Sequence, residues 1–370
     1  MEDDAMTSAP GPIAVVLGTR PEIIKLGHVI QYLGPAAKVV HTGQHYESGL
    51  SASFLETFGI DEPEAYLEVG GMTRGSQIGA AVTALDVYLA ETAPRAVVVQ
   101  GDTNATLAGA VAANSREIPV VHVEAGLRSY DRRMPEEHNR VLTDHLGDLL
   151  CAPTTIAETN LLAEGIDPQR IEVTGNTVVE AVQQLMPGAE ERSGIAEAYE
   201  VEPGRFILST FHRPENVDDP ERFAMVLKQL AAMPFPVLLP LHPRSRDSAA
   251  RFGLGEWLDE IRVIDPIGYE DFLGLSAESA FLVSDSGGIQ EEASIYKRPV
   301  VVVRRSTERP EVLGTFARLV EPEGISDVVE SWLGDIPLIH DELAEVPSPY
   351  GDGSASRRIV DAIAALVSGG

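Results

Sequence analysis

The chain is 370 residues long, 44% hydrophobic, and carries a formal net charge of −29. That apolar share excludes global disorder, and the length exceeds one ordinary core and suits two domains. The negative field argues against nucleic acid or an anionic membrane as partner, and no apolar run reaches the roughly 18 residues of a membrane span.

A single cysteine, Cys151, excludes an internal disulfide and a cysteine-based metal site. The opening "MEDDAMTSAP" is acidic where a signal peptide would be basic, so the expectation is a soluble, cytoplasmic protein. Only four of the 28 basic residues are lysine (Lys25, Lys38, Lys228 and Lys297), and the other 24 are arginine. Excess acid with scarce lysine points to a halophilic protein, in which high salt screens self-repulsion. A GC-rich genome, which also favours arginine, is the plainer explanation of the same bias.

Along the chain, short β-branched runs alternate with helix-like stretches. In the first half the runs are "PIAVVLGTR", "AKVVHTGQH", "RAVVVQGDT", "IPVVHVEAG", "DLLCAPT" and "RIEVTGNT". In the second they are "RFILSTFHR", "FPVLLPLHP", "IRVIDPI", "AFLVSDSGG", "RPVVVVRR" and "ARLVEP". Continuous rather than alternating apolar runs indicate strands covered on both faces, hence parallel sheets. The polar stretch 186–204 holds no strand and marks the boundary region. This predicts an α/β chain with a first domain over 1–183 and a second over 184–353, followed by an amphipathic helix over 354–370 capped by Ser354 or Ser356.

Doubly wound sheets bind ligands beyond the carboxyl ends of their strands. Nearly every run here ends in chemistry: Arg20 after the first, Gln44 and His45 after the second, Asp102 after the third and Glu124 after the fourth. His212, His242 and "SDSGG" do the same in the second half. Two such rims facing each other would form one polar cleft, and the charge-rich segment 124–140 would help line it.

"SDSGGIQEEA" (284–293) places two glycines between a strand and a helix, so backbone N–H groups at the helix start are open to a diphosphate. Glu291 and Glu292 could take sugar hydroxyls, or simply favour the helix dipole. "GTRPEIIK" (18–25) has one glycine, not the three of a dinucleotide fingerprint, so bound NAD is not expected. It offers Arg20 and Lys25 to an anionic leaving group, unless both are merely solvated. Asp102, Glu124 and Glu136 would supply an acid and a base if their strands are neighbours. Asp102 could instead be only a helix cap, and His212 only structural. No HxxEH or similar spacing supports a metal site.

Together, "GTRPEIIK", "TGQH", "GDTNAT", "HVEAGLR", "MPEEHNR", "TGNTVVEA", "HRPEN", "SDSGGIQEEA" and "TERPE" run in order from residue 18 to residue 311. In this set the chain resembles the non-hydrolysing UDP-N-acetylglucosamine 2-epimerases. The resemblance implies a GT-B-like fold of two Rossmann-like domains around a central cleft, with the C-terminal helix returning to the first domain, and a homodimer. It implies interconversion of UDP-GlcNAc and UDP-ManNAc without a nicotinamide cofactor, by anti elimination of UDP through an enzyme-bound 2-acetamidoglucal. Carried over by motif, Asp102, Glu124, Glu136, His212 and Lys25 are the catalytic candidates. Arg20, His242, Ser286, Gly287, Gly288, Glu292 and Arg309 would contact the nucleotide sugar. Gln44, His45 and Arg213 fit a second, activating UDP-GlcNAc site found in some bacterial members.

Two departures stand out. Pro214 replaces the second arginine of many bacterial members, and Tyr46, Glu47 and Ser48 follow "TGQH" in place of the usual run. The neighbouring readings are a 2-epimerase of a UDP-diacetamido-uronic acid, suggested by "LRSYDRRMPEEHNR", a hydrolysing 2-epimerase, and a GT-B glycosyltransferase or a non-catalytic sugar-nucleotide binder.

Overall fold

A computed structural model describes residues 12–44 and 55–369. The chain divides into two compact units: one runs to Ala181 and takes up the segment from Tyr350, and the other is Val182–Pro349. Among the described residues no helix is long and apolar enough to cross a membrane.

The first unit is built on seven parallel strands: β1 (Ile13–Leu17), β2 (Ala37–His41), β3 (Ala65–Tyr66), β4 (Ala96–Gln100), β5 (Val120–Val123), β6 (Leu149–Ala152) and β7 (Ile171–Val173). Their order is β3-β2-β1-β4-β5-β6-β7. Every residue of β1, β4 and β5 is buried, as expected for a parallel sheet covered on both faces. Val16, Val40, Val97 and Val99 pack against Ala108, Ala112 and Leu85 from helices Asn104–Asn114 and Arg74–Thr92. Each such valine or leucine contributes roughly 1.5–3 kcal/mol on burial. The C-terminal helix Ala355–Ser368 packs on helix Arg20–Leu33, and the Ser356 N–H donates to the buried Glu180 carboxylate at 2.8 Å. Ser354 holds the cap position of that helix, but its hydroxyl turns to Asp352 instead.

The sequence periodicity misses β3. It is two residues, Ala65 and Tyr66, one half-buried and one exposed, and it pairs at the sheet edge only with Val40 and His41. So short a strand, covered on one side, has no β-branched run to announce it.

The second unit repeats the plan with β8 (Ile207–Thr210), β9 (Val237–Pro240), β10 (Arg262–Ile264), β11 (Phe281–Ser284), β12 (Val300–Val303) and β13 (Ala317–Val320) in the order β10-β9-β8-β11-β12-β13. All pairings are parallel. Its core gathers Phe223, Phe281, Leu239, Val283 and Trp332. The two Rossmann-like, parallel-sheet α/β domains expected from the alternating runs are therefore present. In both sheets the strand order reverses once, at β1/β4 and at β8/β11, and such a switch point opens a crevice beyond the strand ends.

Candidate active site

In the first unit, β1, β4 and β5 are neighbours, so the loops that follow them converge. Glu124 follows β5 directly and is forced into the left-handed region, φ 68°, a conformation that costs a non-glycine residue and is typical of functional positions. Its buried carboxylate forms an ion pair with the Lys25 ammonium and accepts from Asn176 Nδ2 at 3.2 Å. Two residues on, Gly126 (φ 83°) is obligatory, since a Cβ there would lie 2.4 Å from the Ala157 carbonyl oxygen.

Asp102 follows β4. Its Oδ2 accepts two hydrogen bonds from Arg140, from Nε at 2.9 Å and from Nη2 at 2.6 Å, while the carboxylate stays partly open to solvent. The helix that begins here is capped by Thr103, whose hydroxyl accepts from the Thr106 N–H at 3.1 Å, so Asp102 is not spent as a cap. Glu136 and Glu137 open helix Pro135–Leu146 and differ in role. Glu137 is buried and accepts from the Ser129 and Tyr130 backbone N–H groups at 3.0 and 2.8 Å and from Arg140, which makes it a scaffold for the loop. Glu136 is half-buried in the first helical turn.

Beneath these loops His122 is fully buried. Its Nδ1 lies 2.7 Å from Asp144 Oδ1 and its Nε2 lies 2.8 Å from the Gly101 carbonyl. Burial alone would push the Asp144 carboxyl up, but the His122 ring and the Arg128 guanidinium at 2.7 Å hold it below the ordinary carboxylate value. This chain of contacts ties the loop after β4 to the one after β5. Arg20, at the start of its helix, is exposed. Gln44 accepts from the Ala105 N–H at 3.1 Å. His45 lies outside the described residues.

In the second unit, β8 and β11 deliver His212 and "SDSGG" to one rim. Asp285, fully buried, accepts from the backbone N–H groups of His212 at 3.2 Å and Arg213 at 3.0 Å, and from Asn216 Nδ2 at 3.1 Å; His212 Nδ1 lies 3.1 Å from its Oδ1. Burial raises this carboxyl, yet the imidazole and these donors leave it below the ordinary value. His212 itself is about half exposed, so the buried aspartate orients a ring that is open to solvent.

Ser286 sits at the cap of helix Gly287–Tyr296. A Cβ on Gly287 would come within 2.9 Å of Arg309 Nη1, whereas one on Gly288 would meet nothing closer than 3.9 Å. The free face at Gly288 leaves the helix start open to an anion. Glu292, one turn later, is buried and accepts from the Tyr269 hydroxyl at 2.7 Å. Arg309 is buried beneath the turn: Nε donates to Glu291 Oε1 at 2.8 Å and Nη1 pairs with Glu308, which also binds Arg304 at 2.8 Å. Arg213 Nε donates to the Asp285 carbonyl at 2.9 Å. His242 is exposed at the start of helix Pro243–Phe252, where Nδ1 accepts from the Arg244 N–H at 3.2 Å.

The structure thus pairs Lys25 with Glu124 and places Asp102 at the neighbouring strand end of the first unit, and it gathers His212, Ser286, Gly287, Gly288 and Glu292 on the second. Arg140, Asn176, His122 and Asp285 are additions that sequence reasoning missed. Arg140 had one visible signal, its place four residues after Glu136 on the same helical face.

The family model of UDP-N-acetylglucosamine 2-epimerase matches residues 34–364. UDP-N-acetylglucosamine 2-epimerase of Methanocaldococcus jannaschii is 38% identical, with 94% of this chain and 97% of the relative aligned. UDP-2,3-diacetamido-2,3-dideoxy-D-glucuronate 2-epimerase of Pseudomonas aeruginosa is 36% identical, with 96% and 99% aligned. The crystal structure of M. jannaschii UDP-GlcNAc 2-epimerase in complex with UDP-GlcNAc and UDP superposes with a TM-score of 0.85 at 37% identity, covering 95% of this chain and 99% of that one. The chain therefore belongs to the UDP-N-acetylglucosamine 2-epimerase family, isomerases of the non-hydrolysing type.

Proposed function

We propose that the chain interconverts UDP-GlcNAc and UDP-ManNAc by elimination and re-addition of UDP. A carboxylate removes the C2 proton while the C1–O bond breaks on the opposite face. The C2–H electron pair becomes the C1=C2 bond of a bound 2-acetamidoglucal, and UDP departs with the C1–O pair. UDP oxygen then re-adds to C1 while a second acid delivers a proton to the other face of C2. The sequence is redox-neutral, and atoms balance without a co-reactant.

One observation carries this reading: the buried Lys25–Glu124 pair and the Arg140-held Asp102 occupy adjacent strand ends of one sheet. Proton transfer at C2 needs a base and an acid close together, and such groups contribute roughly 10²–10⁴-fold each. In this account Asp102, Glu124 and Glu136 share that work. The second domain takes the nucleotide: the Ser286–Gly288 helix start and His212 receive the diphosphate whose charge grows as C1–O breaks, and Glu292 accepts from ribose hydroxyls. The working protein is a homodimer, and its size by light scattering checks this.

A second reading is favoured by the 36% identity to the P. aeruginosa enzyme, which acts by name on a diacetamido-uronate. Incubation with UDP-GlcNAc, and separately with the UDP-diacetamido-uronate, with products resolved as epimerised nucleotide sugar or free sugar, tests the proposal. The expected product is UDP-ManNAc. Turnover confined to the UDP-diacetamido-uronate overturns the substrate assignment, and free ManNAc overturns the non-hydrolysing mechanism.

A further inference from the structure

Two catalytic loops of the first unit share one buried carboxylate. Glu22 lies in the first turn of helix Arg20–Leu33 and is 1% exposed. Its Oε2 accepts from the Gly18 N–H and from the Thr19 hydroxyl, each at 2.9 Å, both within the loop after β1. Its Oε1 accepts from the Thr103 hydroxyl at 2.8 Å, on the loop after β4. The Thr106 hydroxyl, although nearby, donates to the Gln100 carbonyl at 2.6 Å, so Thr103 is the link between the loops.

A carboxylate in this position is costly. Burial, only partly offset by these donors, pushes its pKa up to about 7. Its direct partners are all uncharged donors, while Lys25 pairs with Glu124 and Asp102 with Arg140. Lys25 sits one turn beyond Glu22, and Asp102 precedes Thr103 in the chain. Any change in the Glu22–Thr103 contact therefore changes the spacing of the two groups assigned to proton transfer.

We propose that Glu22 is a positioning residue whose carboxylate locks the helix start bearing Lys25, and through it Glu124, to the loop bearing Asp102. The assignment rests on the epimerisation reading above and adds a residue that touches no reacting atom. Misplacement of a catalytic group by about 1 Å can cost about 100-fold in rate, so a loosened clamp acts on kcat and spares KM. Glutamine preserves the lock: its amide oxygen accepts from Gly18 and Thr19, and its nitrogen donates to Thr103 Oγ1, whose own proton turns to Thr106 Oγ1, 3.0 Å away.

The test combines Glu22→Ala, Glu22→Gln, Thr103→Val, Thr103→Ser and the double variant Glu22→Ala/Thr103→Val, read by kcat and KM for UDP-GlcNAc and by melting temperature. The expected result is a kcat loss of about 10- to 100-fold in Glu22→Ala and Thr103→Val with KM within about threefold. The double variant should be no slower than the worse single one, and Glu22→Gln and Thr103→Ser should stay within about threefold of wild type. A Thr103→Val enzyme with wild-type kcat overturns the proposal. So do losses that multiply in the double variant, because loss of the Thr103 helix cap alone would add to Glu22→Ala instead of being absorbed by it. If the wild-type protein turns over no UDP-GlcNAc, the functional reading falls separately. The clamp is then judged by melting temperature alone: non-additive destabilisation by the two substitutions supports it, and strict additivity overturns it.

Discussion

The two units share one strand order over six strands, the first adding β7, and each sets polar residues at its switch point, yet they handle charge in opposite ways. At the β1/β4 switch point, Lys25, Glu124, Arg140, Glu137 and His122 are buried, each against an opposite charge or a hydrogen-bond partner. At β8/β11, the buried groups Asp285 and Arg309 serve as supports, and the surface they support is a glycine-bearing helix start with one half-exposed histidine. Buried, paired ions are costly to build and rigid once made, which suits proton transfer over a fixed distance. An open helix terminus suits an anion that must arrive and leave. Topology supplies the place, and the residues at the strand ends decide the chemistry.

If that division is right, damage to the first unit should fall on turnover and damage to the second on substrate affinity. The largest effect is expected from Asp102→Asn and Glu124→Gln, each lowering kcat by at least about 100-fold with modest change in KM, measured by steady-state epimerisation. Near-wild-type turnover in Glu124→Gln would show that the Lys25–Glu124 pair is scaffold and not chemistry.

The pH dependence of stability sharpens the contrast next. Burial raises the Glu22 carboxyl to about 7 in the folded protein, against an ordinary value of 4.5. The folded state therefore holds a proton that the unfolded chain releases, and this contribution is full below pH 4.5 and lost as pH rises through 7. Its size is on the order of 3 kcal/mol, from 1.36 kcal/mol per pKa unit. Glu22→Gln removes the titration, so its melting temperature relative to wild type should rise between pH 4.5 and 7. A difference that stays constant across that range contradicts the buried, uncharged setting of Glu22.

A smaller effect is expected on the second unit. Gly287→Ala forces a Cβ against the Arg309 guanidinium. It should weaken UDP binding by about tenfold, or roughly 1.4 kcal/mol, while kcat changes less. Calorimetric titration with UDP measures this, and unchanged affinity would remove the helix start from the nucleotide site. The smallest effect concerns the whole surface: with a net charge of −29, the melting temperature should rise between low and molar KCl as repulsion is screened. A flat or falling response leaves the arginine bias to genome composition.

Much of this site was legible in the residues themselves. Apolar runs ending in Asp102, Glu124, His212 and "SDSGG" announced parallel strands, and the sheets bear this out. The pairings were not legible, because they span the chain: Thr103 lies 81 residues from Glu22, and Arg140 lies 38 from Asp102. Asp285 stood inside a quoted motif, but its role depends on its being buried under His212, which only the β8–β11 pairing brings about. Local pattern identifies which residues are available, and the tertiary register selects their partners.

The central claim is that the C2–H bond is broken and remade by carboxylates of the first unit. Epimerisation of UDP-GlcNAc in D2O tests it most directly. Deuterium is expected at C2 of UDP-ManNAc, appearing slowly in recovered UDP-GlcNAc as the reaction reverses, with both signals lost in Glu124→Gln. Product formed with no deuterium at C2 would contradict elimination and re-addition, and with it the roles given to Asp102, Glu124 and Glu136.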